Sequence, residues 1–220
     1  ACVAPGMSKS TYGTGCFVMT HTGTVPVRST QQLLSTIAYR IDGVPSFVLE
    51  GSIFSGGIAV KWLRDRIRLI ASAAETETAA RRTGPDTHGV YLVPAFTGLG
   101  APHWQPDARG VLTGLTLDSD RDQIITATLA SVGYQTADLL AAMARDGAPV
   151  HRLRVDGGMV VNDWLCQFLA DVLDCPVERP RTTETTALGA AALAALGGGL
   201  VGDLDAAVRL WHLDREFRPA

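Results

Sequence analysis

The sequence predicts an α/β domain on a mixed sheet, with three antiparallel strands followed by strand, helix, strand, helix. Three observations carry that expectation. A glycine turn, Tyr12-Gly13-Thr14-Gly15, runs straight into the apolar stretch Cys16-Phe17-Val18-Met19. Asp42-Gly43 separates two β-rich runs, and Asp-Gly between such runs is a strong hairpin signal. From residue 152 onward, short Val/Leu runs alternate with amphipathic helical patterns, the rhythm of parallel strands joined by crossover helices. With 220 residues, 46% of them apolar, the chain can fill one large core or two small ones.

Composition narrows the function classes. A formal charge of −3 and the lack of any long Lys/Arg run leave no basic field for nucleic acid. The longest apolar run, Ala187 to Gly202, is mostly Ala and Gly and stops at Asp203 before a membrane-spanning length, so no membrane partner is expected. Cys2, Cys16, Cys166 and Cys175 form no C-x-x-C pair, and the histidines form no H-x-x-x-H. Neither a disulfide framework nor a protein-built metal site is expected, and reduced thiols point to a cytoplasmic location. No secretory signal is present, and the first residue is Ala, so the chain is expected to begin inside a longer protein.

In order, residues 1–10 read as the end of an element. Strand candidates follow at about 11–21, 33–41 and 46–50, the last two joined by the turn Ile41-Asp42-Gly43-Val44. Ser55-Gly56-Gly57 opens a helix predicted to run to about Ile70, with Ala59, Leu63, Ile67 and Ile70 inward and Lys61, Arg64, Asp65 and Arg68 outward. Residues 71–88 form a polar, partly helical excursion, and Gly89 to Pro94 a strand. Ala95 to Gly110 is a long Gly/Pro/aromatic loop, a length that signals function or close packing. After a short strand at 111–115, Ser119 with Asp122 resembles a capping box. The helix behind it should reach Arg145 and stop at Gly147, burying Ile125, Leu129, Val132, Thr136, Leu139 and Met143. Strands at 152–155 and 175–178 and helices at 161–173 and 185–195 complete the α/β part.

Three glycine seats stand out as sites for an anion. Gly13 and Gly15 remove the Cβ atoms that would hold a ligand off the backbone, leaving N–H groups and the Thr14 hydroxyl to face it. The helix beginning at Gly57 points unsatisfied first-turn N–H groups outward. In Asp156-Gly157-Gly158-Met159-Val160-Val161-Asn162, glycines lie at the C-terminal end of a strand before a helix, where α/β sheets bind ligands. Taken alone, the Gly13–Gly15 motif reads first as an ordinary turn, and the Gly57 start is as consistent with a plain helix beginning.

The element order is that of a ribonuclease H-like domain of the actin/hexokinase/Hsp70 type. Four segments, Thr11 to Phe17, Val93 to Trp104, Arg154 to Gly158 and Thr186 to Ala191, closely resemble the glycerol kinases of the FGGY carbohydrate kinase family, the Pro94–Trp104 loop most specifically. The resemblance implies a C-terminal nucleotide-binding domain over residues 1–220, taken from an enzyme that phosphorylates glycerol to glycerol 3-phosphate with ATP and Mg²⁺. It implies a partner, the N-terminal kinase domain, holding most of the polyol site and a catalytic aspartate in a Gly-Asp-Gln segment that this sequence lacks. No catalytic residue is then expected in this chain, the family's final helix is missing as well, and the chain alone should be inert; a homo-oligomer of the full-length enzyme stays open. By position, Thr14 would face the terminal phosphates, Gly57 and Gly158 would offer backbone N–H groups to phosphate oxygens, Asn162 would meet the adenine, and Phe17 would line the apolar side of glycerol. Lys61 stands where bacterial relatives often have Gln and would lie near the nucleotide; Ala130 departs from an acidic or amide residue of the family pattern. The rival readings are a kinase for another polyol or ketose and a non-catalytic adenine-nucleotide-binding module.

Overall fold

The computed structural model describes residues 2–220. Its centre is a seven-stranded sheet in the order β3-β4-β2-β1-β7-β8-β9. β1 (Ser8–Tyr12) and β2 (Cys16–Gly23) are antiparallel, and β4 (Val44–Ile53) and β3 (Leu34–Ile41) extend the sheet outward from β2. On the other side β1 pairs in parallel with β7 (Leu153–Asp156), β7 in parallel with β8 (Val177–Pro180), and β9 (Leu213–Phe217) closes the edge antiparallel to β8. The mixed sheet is therefore as predicted, with two additions. The expected single strand at 11–21 is a hairpin, folded back where the Gly13 N–H meets the Gly15 carbonyl at 3.0 Å, so four strands rather than three open the chain. β9 is a strand for which its charged sequence gave no apolar signal.

Side chains alternate across each strand. Tyr12, Val18, Leu49, Leu153, Val155 and Val177 form one core cluster with residues of α3 (Arg121–Arg145) and α4 (Asp163–Leu173). Ile125, Leu129, Val132, Thr136, Leu139 and Met143 of α3 are all buried, as their spacing required. The cap of α3 lies one residue later than expected: the Gln123 N–H donates to Asp120 Oδ1 and the Asp120 N–H to Gln123 Oε1, both at 2.9 Å, while Ser119 instead accepts from the Thr116 N–H. Asp wins the position because its carboxylate reaches the third N–H of the helix and its charge suits the dipole there.

Two smaller units cover one end of this core. α1 (Gly57–Asp65) stops a turn early, with Arg68 in the left-handed region at φ 56°, and Ile67 is exposed rather than inward. α2 (Glu75–Thr83) packs on α3, where Leu63, Ile70, Ala79 and Ile125 make a satellite cluster. β5 (Tyr91–Val93) and β6 (Val111–Thr113) form a separate ribbon. The opposite sheet face carries Lys9, Thr11, Phe17 and Asp156, over which α5 (Thr185–Gly197) begins; α6 (Leu204–Val208) leads back to β9.

Candidate nucleotide site

The β1–β2 turn, the start of α1 and the 3-10 turn after β7 meet at one end of the sheet. Their junction is built from backbone. The Gly56 and Ile58 N–H groups both donate to the Thr14 carbonyl, at 3.0 and 3.1 Å, and the Gly57 N–H donates to the Gly13 carbonyl at 2.7 Å. The first turn of α1 is thus capped by the glycine hairpin, which corrects the expectation that the Gly57 N–H is offered to a phosphate. Gly57 serves instead by having no side chain: a Cβ there would lie 2.7 Å from the Gly13 oxygen, and one on Gly15 would lie 2.5 Å from the Ile53 oxygen. Beneath them, Cys16 is fully buried, and that burial pushes its thiol up to about 12.

Around this junction opens a cavity of about 410 Å³, within the range of small-ligand sites. Thr14, Gly57, Lys61, Gly158 and Asn162, the five nucleotide residues expected from sequence, all line it. Thr14 stands exposed at the hairpin tip, and Lys61 is exposed one helical turn beyond Gly57. Gly158 opens the 3-10 turn Gly158–Val161, where first-position N–H groups have no partner inside the turn. Asn162 is the N-cap of α4, its Oδ1 accepting from the Leu165 N–H at 2.9 Å while its Nδ2 faces Thr76 Oγ1 at 3.3 Å. Val60, Leu129, Met159 and Val161 supply apolar walls.

Behind both glycine seats lies a polar clasp. The Lys9 ammonium donates to Thr11 Oγ1 at 2.6 Å and Asp156 Oδ2 at 3.1 Å, and the Thr185 hydroxyl donates to the same carboxylate oxygen. β1, β7 and the first residue of α5 are joined there. Asp156, only 2% exposed, shapes its loop and is turned away from solvent. A charge pair this deep would be costly if either partner were removed.

A family model described as the FGGY family of carbohydrate kinases, C-terminal domain, matches residues 8–197. The chain belongs to that family. It is 58% identical over 217 residues to glycerol kinase 1 of Pseudomonas aeruginosa and 59% identical over 219 residues to a glycerol kinase of Rhodospirillum centenum. Those alignments take in 99% and 100% of this chain but 44% of either relative, so the FGGY domain spans less than half the length of the curated relatives it matches. A crystal structure of Plasmodium falciparum glycerol kinase with ADP superposes with a TM-score of 0.88 at 36% identity, covering 98% of this chain and 43% of that one. A xylulose kinase from Rhodospirillum rubrum, at 24% identity and a TM-score of 0.85, shares the fold.

Phe17 lies outside the cavity, on β2 between the buried Cys16 and Val18, and is 46% exposed. It is a surface residue of the opposite sheet face rather than of the core, which settles an alternation that the sequence left open. Residues the sequence reading missed are Thr76 and Glu77 of α2, and Arg64, whose guanidinium is held by Asp65 at 2.6 Å. Arg64 had a signal, since it follows Gly57 and Lys61 by seven and three residues on one helical stripe. In sequence α2 reads only as part of a polar, partly helical excursion, since its buried face of Thr76, Ala79 and Ala80 holds no large apolar side chain. Among the described residues no group of three or more His, Cys, Asp or Glu side chains is placed to hold a metal ion, and no helix is long and apolar enough to cross a membrane.

Proposed function

We propose that this chain is the ATP-binding half of an enzyme that transfers the γ-phosphoryl group of ATP to a primary hydroxyl of glycerol. The observation that carries the proposal is the convergence of Thr14, Gly57, Lys61, Gly158 and Asn162, drawn from three separate elements, on one cavity with apolar walls. Phosphoryl transfer asks a protein mainly for positioning and for donors on the transferring oxygens. The Thr14 hydroxyl, the Gly158 N–H and the Lys61 ammonium meet that demand at the mouth, and the apolar walls with Asn162 suit a purine farther in. Gly57 lets the hairpin and α1 approach closely enough to shape the phosphate seat. Magnesium would arrive on the nucleotide, held by phosphate oxygens and water, an arrangement common for this ion.

Glycerol is the proposed acceptor because curated relatives 57–59% identical over 99–100% of this chain are glycerol kinases. Phe17, exposed on the sheet face beyond the phosphate seat, is the proposed apolar wall for its carbons. The base that takes the hydroxyl proton is proposed to come from a partner domain matching the rest of the relatives' length. The face that would receive that domain is α5, apolar on every side yet buried only at Thr185, with Leu193 44% exposed. A cytoplasmic location belongs to the same proposal and is supported by four free cysteines.

The test is reconstitution. The purified chain alone is expected to form no glycerol 3-phosphate from ATP and glycerol, whereas co-expression with an FGGY N-terminal domain carrying its Gly-Asp-Gln segment should restore turnover. Steady product from the chain alone, with contaminating kinase excluded, or none from the assembled halves, would overturn the proposal.

A further inference from the structure

We propose that Thr76, the second residue of α2, is a specificity-determining residue of this cavity: with Asn162 it presents one hydrogen-bond acceptor beside one donor, a pair that fits the amino/N7 edge of adenine and mismatches the O6/N7 edge of guanine. The inference rests on the nucleotide reading above and adds which wall holds the base and by what polarity.

The polarity follows from bonds already made. Asn162 Oδ1 is taken by the Leu165 N–H at 2.9 Å, and a backbone N–H at a helix start needs an acceptor, so the amide has one orientation. Its Nδ2 must face Thr76 Oγ1, 3.3 Å away. The Thr76 hydroxyl owns a single proton, which goes to the Ala73 carbonyl at 2.6 Å. Toward Asn162 it is therefore an acceptor. After these bonds Nδ2 keeps one N–H and Oγ1 keeps one lone pair.

Both residues line the cavity, and both are largely withdrawn from water, Thr76 at 2% and Asn162 at 9% exposure. A base seated against them would have to satisfy a donor and an acceptor together, and a mismatch would leave buried polar groups unpaired. Adenine offers an amino donor next to a ring-nitrogen acceptor on one edge; guanine offers two acceptors on the same edge. A guanine seated in the same pose would set its oxygen against the Thr76 lone pair, no rotation of the hydroxyl relieves this without breaking its bond to Ala73, and guanine would have to turn to its O6/N1–H edge to bind. The same contact joins α2 to the start of α4, so Thr76 also holds two cavity walls in register.

The experiment measures dissociation constants of ADP, GDP and inorganic pyrophosphate by calorimetry for the unchanged chain, Thr76→Val and Thr76→Ser. Valine keeps the shape of threonine, and the Ala73 carbonyl retains the residue 76 N–H at 3.2 Å, so the fold should survive; serine keeps the hydroxyl. Thr76→Val is expected to weaken ADP about tenfold, to shrink the ADP-over-GDP preference by a similar factor and to leave pyrophosphate unchanged, with Thr76→Ser restoring ADP. An unaltered ADP/GDP ratio in Thr76→Val, or parallel losses of ADP and pyrophosphate, overturns the role of Thr76 while the nucleotide reading stands. Failure of the unchanged chain to bind ADP overturns both.

Discussion

Asn162 has two jobs in this structure, and a pair of substitutions separates them. Its Oδ1 caps α4 through the Leu165 N–H, and its Nδ2 faces the cavity wall at Thr76. Asn162→Ala removes both. Losing an N-cap costs about 1 kcal/mol, which in a chain of this length lowers Tm by roughly 2–4 °C. Asn162→Asp keeps the acceptor at nearly the same place and sets a negative charge at a helix N-terminus, an effect of about 0.3–1 kcal/mol in its favour that offsets repulsion from Asp163. Asp163 is itself neutralised by Arg179 at 2.7 Å. N162D should therefore keep the cap while losing the bond to Thr76, whose oxygen then faces another acceptor, and should melt below the unchanged chain but no lower than N162A. Both variants lack the amide donor, so both should bind ADP about tenfold more weakly, or roughly 1.4 kcal/mol. Thermal unfolding without ligand and calorimetric titration with Mg-ADP read the two effects separately. N162D melting below N162A would refute the capping argument, and N162D binding ADP like the unchanged chain would refute the base contact.

Four further outcomes are expected. Gly57→Ala places a methyl 2.7 Å from the Gly13 oxygen, so a loss of about 1–3 kcal/mol and weaker ADP binding should appear together; unchanged unfolding and binding would show that the hairpin yields. Lys61→Gln should be tolerated, while Lys61→Glu should weaken ATP about tenfold at low ionic strength and less at high salt; a salt-independent or absent effect would return Lys61 to solvent. Phe17→Ala, at a half-exposed position, should cost under about 1 kcal/mol of stability yet raise KM for glycerol more than for ATP in the assembled enzyme; a large drop in Tm with equal KM changes would make it structural. Burial pushes the Cys16 and Cys166 thiols up to about 12, so iodoacetamide at pH 8 should label neither until the chain unfolds, and rapid native labelling read by mass spectrometry would contradict their packing.

The lining of the candidate cavity was legible in the sequence because it is made largely of local devices: glycines at turns and helix starts and one amide at a cap. What those glycines do was only partly legible. A sequence shows that the α1 N-terminus lacks side chains, but not that the Gly13 and Thr14 carbonyls occupy its first N–H groups. β1 was missed because it is buried without being apolar. Ser8 and Ser10 point into the core, and Ser8 Oγ shares a 2.9 Å hydrogen bond with Thr20 Oγ1 across the sheet. β9 was missed for a related reason: its Asp, Arg and Glu are tied by ion pairs such as Arg179 with Asp214 at 2.9 Å. The α2 wall reads in sequence only as part of a polar, partly helical excursion because the residues this nine-residue helix buries are Thr76, Ala79 and Ala80, none of them a large apolar side chain. Long-range pairing, which decides all three, has no local signature.

The measurement nearest the central claim is the Tm of the purified chain as Mg-ADP is raised from micromolar to millimolar. A ligand that binds only the folded chain stabilises it by about 2.7 kcal/mol at a hundred times its dissociation constant, which for this size corresponds to a rise of roughly 5–10 °C. The cavity lined by Thr14, Gly57, Lys61, Gly158 and Asn162 predicts a Tm that climbs steadily with the logarithm of ADP concentration and climbs less in Asn162→Ala. A Tm unmoved by millimolar Mg-ADP, or a rise of equal size in that variant, would contradict it.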